Sequence, residues 1–194
     1  MEAALFEKHG TTVQMSEQQV IDCDYRSDGC NGGWYDTAWD YVRWMGGILT
    51  QDKYPNNGLE QFCRTFWYDH NDRRYIKNFK VKGCYGGPNS NTYYHCRGHG
   101  RVGIEAELKR MLNDRPVAVS VDASSFQFYS SGILRCGSSH RLNHDVFAVG
   151  YESNSHWIIK NSWGTSWGES GYVRIGMGGN PCGVADWPAY AIAA

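Results

Sequence analysis

The chain has 194 residues, a formal net charge of −1 and 41% hydrophobic residues. This length allows a core of ordinary size, in one domain or in two lobes that share a single site. The near-neutral charge offers no field to attract nucleic acid or an anionic membrane, and no apolar run approaches the roughly 20 residues that a bilayer requires. We therefore expect a globular protein with neither of these partners.

The start of the chain has the pattern of helices. Residues 2–9 are typical of the later part of a helix that ends at Gly10, and residues 11–15 of a short extended stretch. Ser16-Glu-Gln-Gln19 has the S-x-x-Q form of a capping box, which predicts a helix to about Cys23. Because the chain begins inside a helical pattern without a signal peptide, we expect a segment to precede it.

The rest of the chain changes from a helical to a strand pattern. Three- and four-residue spacing predicts helices over 35–45 and 104–112, while residues 48–103 look irregular. Alternation predicts strands over 117–121, 146–151, 157–160 and 172–175. The sequence therefore predicts an α+β protein with a mainly helical part at 1–103, a strand-rich part at 104–194 and a cleft between them.

Seven cysteines are dispersed along the chain, and no pair has the CxxC spacing of a structural zinc site. Dispersed cysteines are typical of disulfide-bonded proteins from an oxidising compartment. The odd number leaves one of them without a partner in the chain, so it is either free or paired elsewhere.

Three segments carry residue types suited to hydrolysis. They are Gly29-Cys-Asn-Gly-Gly33, Asn143-His-Asp-Val-Phe-Ala-Val-Gly-Tyr151 and Trp157-Ile-Ile-Lys-Asn-Ser-Trp-Gly-Thr-Ser-Trp-Gly-Glu-Ser-Gly-Tyr172. In this order the chain resembles the papain family, the cathepsin L-like cysteine peptidases, and a block as long as the third is far more specific than a short motif. The resemblance implies a papain-like fold, with a helical left lobe, an antiparallel β-barrel-like right lobe and an active-site cleft between them.

The resemblance implies acyl transfer, in which a thiolate attacks the peptide carbonyl and an imidazolium protonates the leaving amine. It gives His144 the role of base and acid and Asn161 that of orienting the imidazole. Trp163 would cover the bond between them, since positions 161 and 163 share a face in a strand. Without the resemblance, a lone histidine among apolar residues is more often structural, and an asparagine beside serine and glycine is typical of a turn.

The resemblance also implies a set of substrate-binding residues. Gly32 and Gly33 would leave backbone free to pair with an extended peptide. Asp145 stands where the family has a small residue, and Trp187 where it often has a small or polar one, so a large floor would shorten the pocket and a carboxylate would favour a basic side chain. The full set is Gly32, Gly33, Trp34, Ser120, Asp145, Trp163 and Trp187.

One family motif is absent from the sequence. The chain contains no C-G-[SA]-C-[WY] string, the signature of the nucleophile. The resemblance places that cysteine about nine residues before Met1, with the oxyanion-hole glutamine further upstream. It also pairs Cys23 with Cys63 and Cys136 with Cys182, and leaves Cys30 unpaired.

Residues 79–103 form a segment longer than the papain pattern. We expect Cys84 and Cys96 to close it with a disulfide, although His95 and His99 leave a Cys/His metal site open as an alternative. Tyr85, Tyr93 and Tyr94 lie in the same segment, which is either an ordinary surface insertion or a loop that shapes substrate access.

The sequence thus favours a monomeric cysteine endopeptidase that acts on peptides or proteins in a lysosomal, vacuolar or extracellular setting. No cofactor is expected beyond a reduced thiol, and cystatin-like inhibitors are expected partners. Two alternatives stay open: an inactive relative that binds peptides or inhibitors, and a silicatein-like homologue with serine at the nucleophile position.

Overall fold

The structure is a computed structural model that describes residues 1–81, 102–137 and 141–193. The chain divides into two compact units, Met1–Lys80 with Tyr190–Ala194, and Val81–Ala189, called unit 1 and unit 2 below. The α-helices are α1 (Glu2–His9), α2 (Glu17–Cys23), α3 (Tyr35–Trp44) and α4 (Val102–Leu112). The strands are β1 (Ile76–Val81), β2 (Val117–Val121), β3 (Ile133–Leu134), β4 (His144–Glu152), β5 (His156–Lys160), β6 (Tyr172–Gly176) and β7 (Ala189–Ala193).

Helix α2 begins with half of the capping box that the sequence predicts. The Ser16 hydroxyl accepts a hydrogen bond from the Gln19 N–H (2.9 Å), which satisfies one of the unpaired donors of the first turn. The Gln19 side chain does not return to Ser16. Its carbonyl oxygen accepts from the Leu49 N–H (2.7 Å) and its amide donates to the Tyr41 hydroxyl (3.0 Å). A buried glutamine therefore ties α2 to α3 and to the segment that follows α3.

The core of unit 1 lies around α2, α3 and the segment after α3. Val42, Ile48, Leu49 and Tyr54 are almost fully buried there. Cys23 at the end of α2 forms a disulfide with Cys63, the pair that the resemblance implies.

Unit 2 is built on a sheet with the order β2-β4-β5-β6-β3. Neighbouring strands are antiparallel except β3 and β6, which are parallel, so the sheet is mixed rather than wholly antiparallel. All five residues of β2 are buried, and α4 packs against β2 and β4. A second disulfide, Cys136–Cys182, also matches the resemblance. Among the described cysteines, Cys30 is free and exposed.

The predicted α+β class is confirmed, and all predicted helices and strands are present with shifts of a few residues at their ends. Residues 11–15, expected as a short extended stretch, make one isolated bridge, between Met15 and Thr50. One prediction of local structure was wrong: residues 76–81, in the stretch expected to be irregular, form β1. This segment lacks the alternation that signals a strand with one buried face.

Several predictions fall outside the described residues. They concern the Cys84–Cys96 disulfide, the alternative metal site with His95 and His99, and the tyrosines of the same segment. Among the helices that the structure does describe, none has the length and apolar character needed to cross a membrane.

Candidate active site

His144 lies at the first position of β4, directly opposite Val121 at the end of β2. The preceding residue, Asn143, donates its N–H to the Val121 carbonyl (3.0 Å), and its side chain accepts from the Ala123 N–H (2.9 Å). The backbone on both sides of the histidine is therefore held by hydrogen bonds, which limits where the imidazole can point.

The imidazole of His144 bonds to Asn161, with 2.8 Å between Nε2 and Oδ1. Asn161 follows the end of β5 and is 8% exposed. Its Oδ1 also accepts from the N–H of Ser162 (2.8 Å). Because a backbone N–H can only donate, this second bond assigns the amide orientation and makes Nε2 the protonated nitrogen. Nδ1 of His144 makes no hydrogen bond to any described residue.

Trp163 stacks on the imidazole, with ring centroids 5.1 Å apart and 29° between the planes. The expectation that residues 161 and 163 lie in a strand was wrong: β5 ends at Lys160, and both residues belong to the turn that follows. The turn still places the asparagine at the edge of the imidazole and the indole on its face.

A further aromatic contact to the histidine was missed by the sequence reasoning. Phe126 is fully buried and meets the His144 ring edge-on, with centroids 6.4 Å apart. Trp167 stacks on Phe126 at 5.8 Å and donates its Nε1–H to the Phe126 carbonyl (3.1 Å). Phe126 sits in a 3₁₀ turn without periodicity, so no signal in its segment pointed to the site. Trp167, in contrast, belongs to the third motif, which the sequence analysis had singled out.

An ion pair braces the loop that carries the tryptophans. The Arg174 guanidinium donates to both oxygens of Glu169 (2.8 and 2.6 Å), and the Gly132 N–H donates to one of them (2.9 Å). These donors, Arg174 first, lower the pKa of Glu169 to about 2. Between the tryptophan and this glutamate, Gly168 has φ +56°, and a Cβ there would lie 2.6 Å from the Tyr172 carbonyl oxygen. The loop geometry therefore requires glycine.

Asp145 and Ser120 face each other across β4 and β2. The Ser120 hydroxyl, which is fully buried, donates to the Asp145 carboxylate at 2.6 Å. The structure thus brings together two of the residues expected to line a specificity pocket. The negative charge lies on the residue next to the histidine.

The other expected substrate-binding residues occupy several elements. Gly32, Gly33 and Trp34 lie in unit 1 just before α3, and Trp187 in unit 2 just before β7. Gly32 has φ +115°, and a Cβ on Gly33 would come within 2.5 Å of the Ser27 hydroxyl. Trp34 is 48% exposed. Both glycines are thus needed for the backbone course of this loop.

Within the described ranges, no group of three or more histidine, cysteine or acidic side chains could hold a metal ion. What the arrangement supplies chemically is an imidazole whose tautomer and orientation are fixed by one hydrogen bond and two aromatic rings. Such a group accepts a proton at Nδ1 and returns it to a leaving group, as a general base and acid does.

These features have a counterpart in known proteins. Residues 1–192 match the family described as "Papain family cysteine protease", so the chain belongs to the papain family.

Two curated relatives show the degree of similarity. The chain is 38% identical to "Digestive cysteine proteinase 3" of Homarus americanus, over 98% of the chain and 56% of the relative. It is 37% identical to "Cathepsin L 1" of Paramecium tetraurelia, over 92% of the chain and 50% of the relative. The chain thus spans about half the length of the curated relatives it matches.

Solved structures agree with the papain-like fold. The bromelain protease of Ananas comosus, in complex with the E64 inhibitor, superposes with a TM-score of 0.78 at 31% identity, over 100% of this chain and 84% of that one. A cysteine protease of Carica candamarcensis in complex with E-64 gives 0.80 at 32% identity, over 99% and 83%.

Proposed function

We propose that the protein is a cysteine endopeptidase, in which His144 and Asn161 serve a nucleophilic thiol that lies outside residues 1–194. The observation that carries the proposal is the 2.8 Å bond between His144 Nε2 and Asn161 Oδ1. It leaves Nδ1 as the nitrogen that exchanges a proton with the thiol.

The proposed reaction has two steps. The thiolate attacks the peptide carbonyl and forms an acyl-enzyme, while His144 gives its Nδ1 proton to the leaving amine. Nδ1 then takes a proton from water as the water attacks the acyl-enzyme. The peptide acid and the thiolate are released, which restores the starting pair of thiolate and imidazolium. Asn161 holds the ring in the same orientation through both steps.

The proposal that the nucleophilic thiol lies outside residues 1–194 is supported by the disulfides and the sequence surroundings of the cysteines. Four of the described ones, Cys23, Cys63, Cys136 and Cys182, are in disulfides. The fifth, Cys30, belongs to the Gly29–Gly33 loop and not to a C-G-[SA]-C-[WY] motif. That motif occurs nowhere in the sequence.

We further propose a binding pocket with an acidic wall. Ser120 and Asp145 would form its unit 2 wall with Trp187 as the floor, and Gly32, Gly33 and Trp34 would bind the peptide backbone and an adjacent side chain. The hydrogen bond from Ser120 to Asp145 supports this idea, since it holds the carboxylate in one place. A fixed carboxylate attracts a basic substrate side chain.

The setting and the partners follow from the relatives. The relatives include digestive proteinases and cathepsins L, which favours a lysosomal, vacuolar or extracellular location. The two disulfides support the same location, because disulfides persist in oxidising compartments. Peptides and proteins are the proposed substrates of a monomeric enzyme, and cystatin-like proteins its proposed inhibitors.

The test uses the whole encoded protein, purified under mild reduction. We expect it to hydrolyse internal bonds of peptides and to be labelled by E-64 at a cysteine, and expect His144→Ala to abolish both. His70→Ala, which changes an exposed histidine of unit 1, is the matched control and should be fully active.

Other outcomes identify the alternatives. Tight binding of a cystatin or a peptide without hydrolysis would indicate an inactive binding protein. Reaction with a serine-directed reagent but not with E-64 would indicate a serine homologue. Full activity of the His144→Ala protein would overturn the proposed mechanism.

A further inference from the structure

A cavity of about 310 Å³ lies in unit 1, beside the end of α1. Its lining comes from Leu5, His9, Thr11 and Val13 and from residues 73–75. Two of the lining residues are arginines and one is a histidine, and none of the seven is acidic. The active-site residues His144 and Asn161 do not contribute to it. The volume is within the range of small-ligand sites.

Arg73 lines this cavity and carries a buried positive charge. The residue is only 8% exposed, and its guanidinium donates to the carbonyls of Met45 (2.5 Å) and Thr65 (3.1 Å). Its Nε is buried without a hydrogen-bond partner. No carboxylate within the described residues pairs with it. A buried cation whose hydrogen bonds go only to carbonyls has no opposite charge beside it, so an anion bound nearby would stabilise it.

Arg74 adds an accessible positive charge. It is exposed, and its recorded side-chain bond is a long one to the Arg73 carbonyl (3.4 Å). The acidic residue nearest in sequence, Asp72, bonds to Lys53 at 2.7 Å, and the charge of Arg74 adds to the causes that lower the pKa of its carboxyl. The guanidinium of Arg74 is therefore available for a charged ligand, and a planar guanidinium suits the two oxygens of a carboxylate.

The lining also includes apolar groups beside the polar His9 and Thr11. Leu5 and Val13 contribute aliphatic groups and Tyr75 an aromatic side chain, whose hydroxyl donates to the His70 carbonyl (3.2 Å). The carbonyls at the end of α1 oppose an anion, but with only about half an elementary charge. Two arginines outweigh that partial charge.

We propose that this cavity binds a carboxylate that carries a short apolar group. Arg74 contacts the carboxylate at the mouth, Arg73 supplies the buried charge, and Leu5, Val13 and Tyr75 take the apolar group. The ligand is either a free monocarboxylic acid or the C-terminal carboxylate of a peptide with an apolar last residue, since both present the same chemistry.

The experiment measures binding to the whole encoded protein by titration calorimetry, with hexanoate and the uncharged hexanamide as probes. We expect saturable binding of hexanoate and none of hexanamide. Arg74→Gln should weaken hexanoate about tenfold or more, as the loss of a charged hydrogen bond does. Val13→Phe should block binding by filling the cavity with both arginines unchanged.

Arg43→Gln is the matched control, because it removes an arginine of unit 1 that does not line the cavity. Any of three results would overturn the proposal: no saturable binding of hexanoate, equal affinity for hexanoate and hexanamide, or an equal loss of hexanoate affinity in Arg74→Gln and Arg43→Gln. A third probe separates the two sources of the ligand. This probe is an acetylated peptide that ends in leucine with a free C-terminal carboxylate. If it binds more tightly than hexanoate, and if amidation of its C-terminus abolishes binding, the ligand is a peptide terminus. If hexanoate binds more tightly, the ligand is a free acid.

Discussion

The indole of Trp163 covers the imidazole of His144, with ring centroids 5.1 Å apart. The indole is itself 42% exposed. One of its faces therefore contacts the histidine while part of its surface meets solvent. The imidazole bonds to Asn161, which is only 8% exposed, so this hydrogen bond lies in a less polar environment where it is stronger than in water.

Replacing Trp163 by alanine should expose that bond to water. We expect kcat/KM for a peptide substrate to fall about tenfold, since an aromatic contact and a shielded hydrogen bond together contribute roughly 1–2 kcal/mol. Trp163→Phe should recover most of the loss. Trp44→Ala, which removes a tryptophan that is 84% exposed in unit 1, is the control. An unchanged kcat/KM in Trp163→Ala would show that the stack has no catalytic role.

Two substitutions at Asn161 should separate orientation from charge. Asn161→Ala removes the acceptor of the His144 Nε2–H and should lower kcat/KM roughly tenfold to a hundredfold, the range for a hydrogen bond to a group that becomes charged. Asn161→Asp keeps an acceptor and adds a negative charge, which favours the imidazolium form of His144. The descending limb of its pH profile of kcat/KM should therefore move to higher pH than in wild type.

The outcome that contradicts this assignment is a pH profile of Asn161→Asp that coincides with wild type. Such a result would mean that a negative charge at residue 161 does not affect the group whose protonation limits activity at high pH. A circular dichroism spectrum and a melting curve for each variant serve as controls for folding.

The third motif led to most of the site, because one block of sequence contains Asn161, Trp163 and Trp167. Phe126 could not be predicted in this way. It reaches His144 because β2 pairs with β4 so that Val121 faces His144, and the chain then turns back after β2. That proximity is a consequence of strand register, which a single sequence does not reveal for a short turn. The ion pair between Glu169 and Arg174 was not predicted either. Charged residues five positions apart in a sequence are ordinarily interpreted as separate, solvent-exposed side chains.

Asp145 should determine part of the substrate preference. Asp145→Asn keeps an acceptor for the Ser120 hydroxyl and removes the charge. We expect the ratio of kcat/KM for substrates with arginine to those with leucine, at the substrate residue that enters this pocket, to fall about tenfold. Asp114→Asn, at an exposed acid of unit 2, should leave the ratio unchanged. The same ratio in Asp145→Asn and wild type would remove this residue from the proposed pocket.

Glu169 should make the stability of unit 2 dependent on acid. Its pKa in the folded protein is about 2, because Arg174 and the Gly132 N–H stabilise the carboxylate, while its ordinary value is 4.5. A depressed pKa contributes stability that is complete above about pH 4.5 and is lost as the pH falls towards 2. Glu169→Gln should therefore lower the free energy of unfolding by about 1–2 kcal/mol near pH 6, allowing for partial exposure of the pair.

The difference between wild type and Glu169→Gln should shrink as the pH falls from 4.5 towards 2, measured by urea denaturation at a series of pH values. Glu107→Gln is the matched control, because Glu107 also bonds to an arginine, Arg110, but on an exposed helix face. Exposed pairs of this kind contribute little, so its effect should be small at every pH. A constant difference between wild type and Glu169→Gln across the series would mean that Arg174 stabilises the loop through contacts that do not need the charged carboxylate.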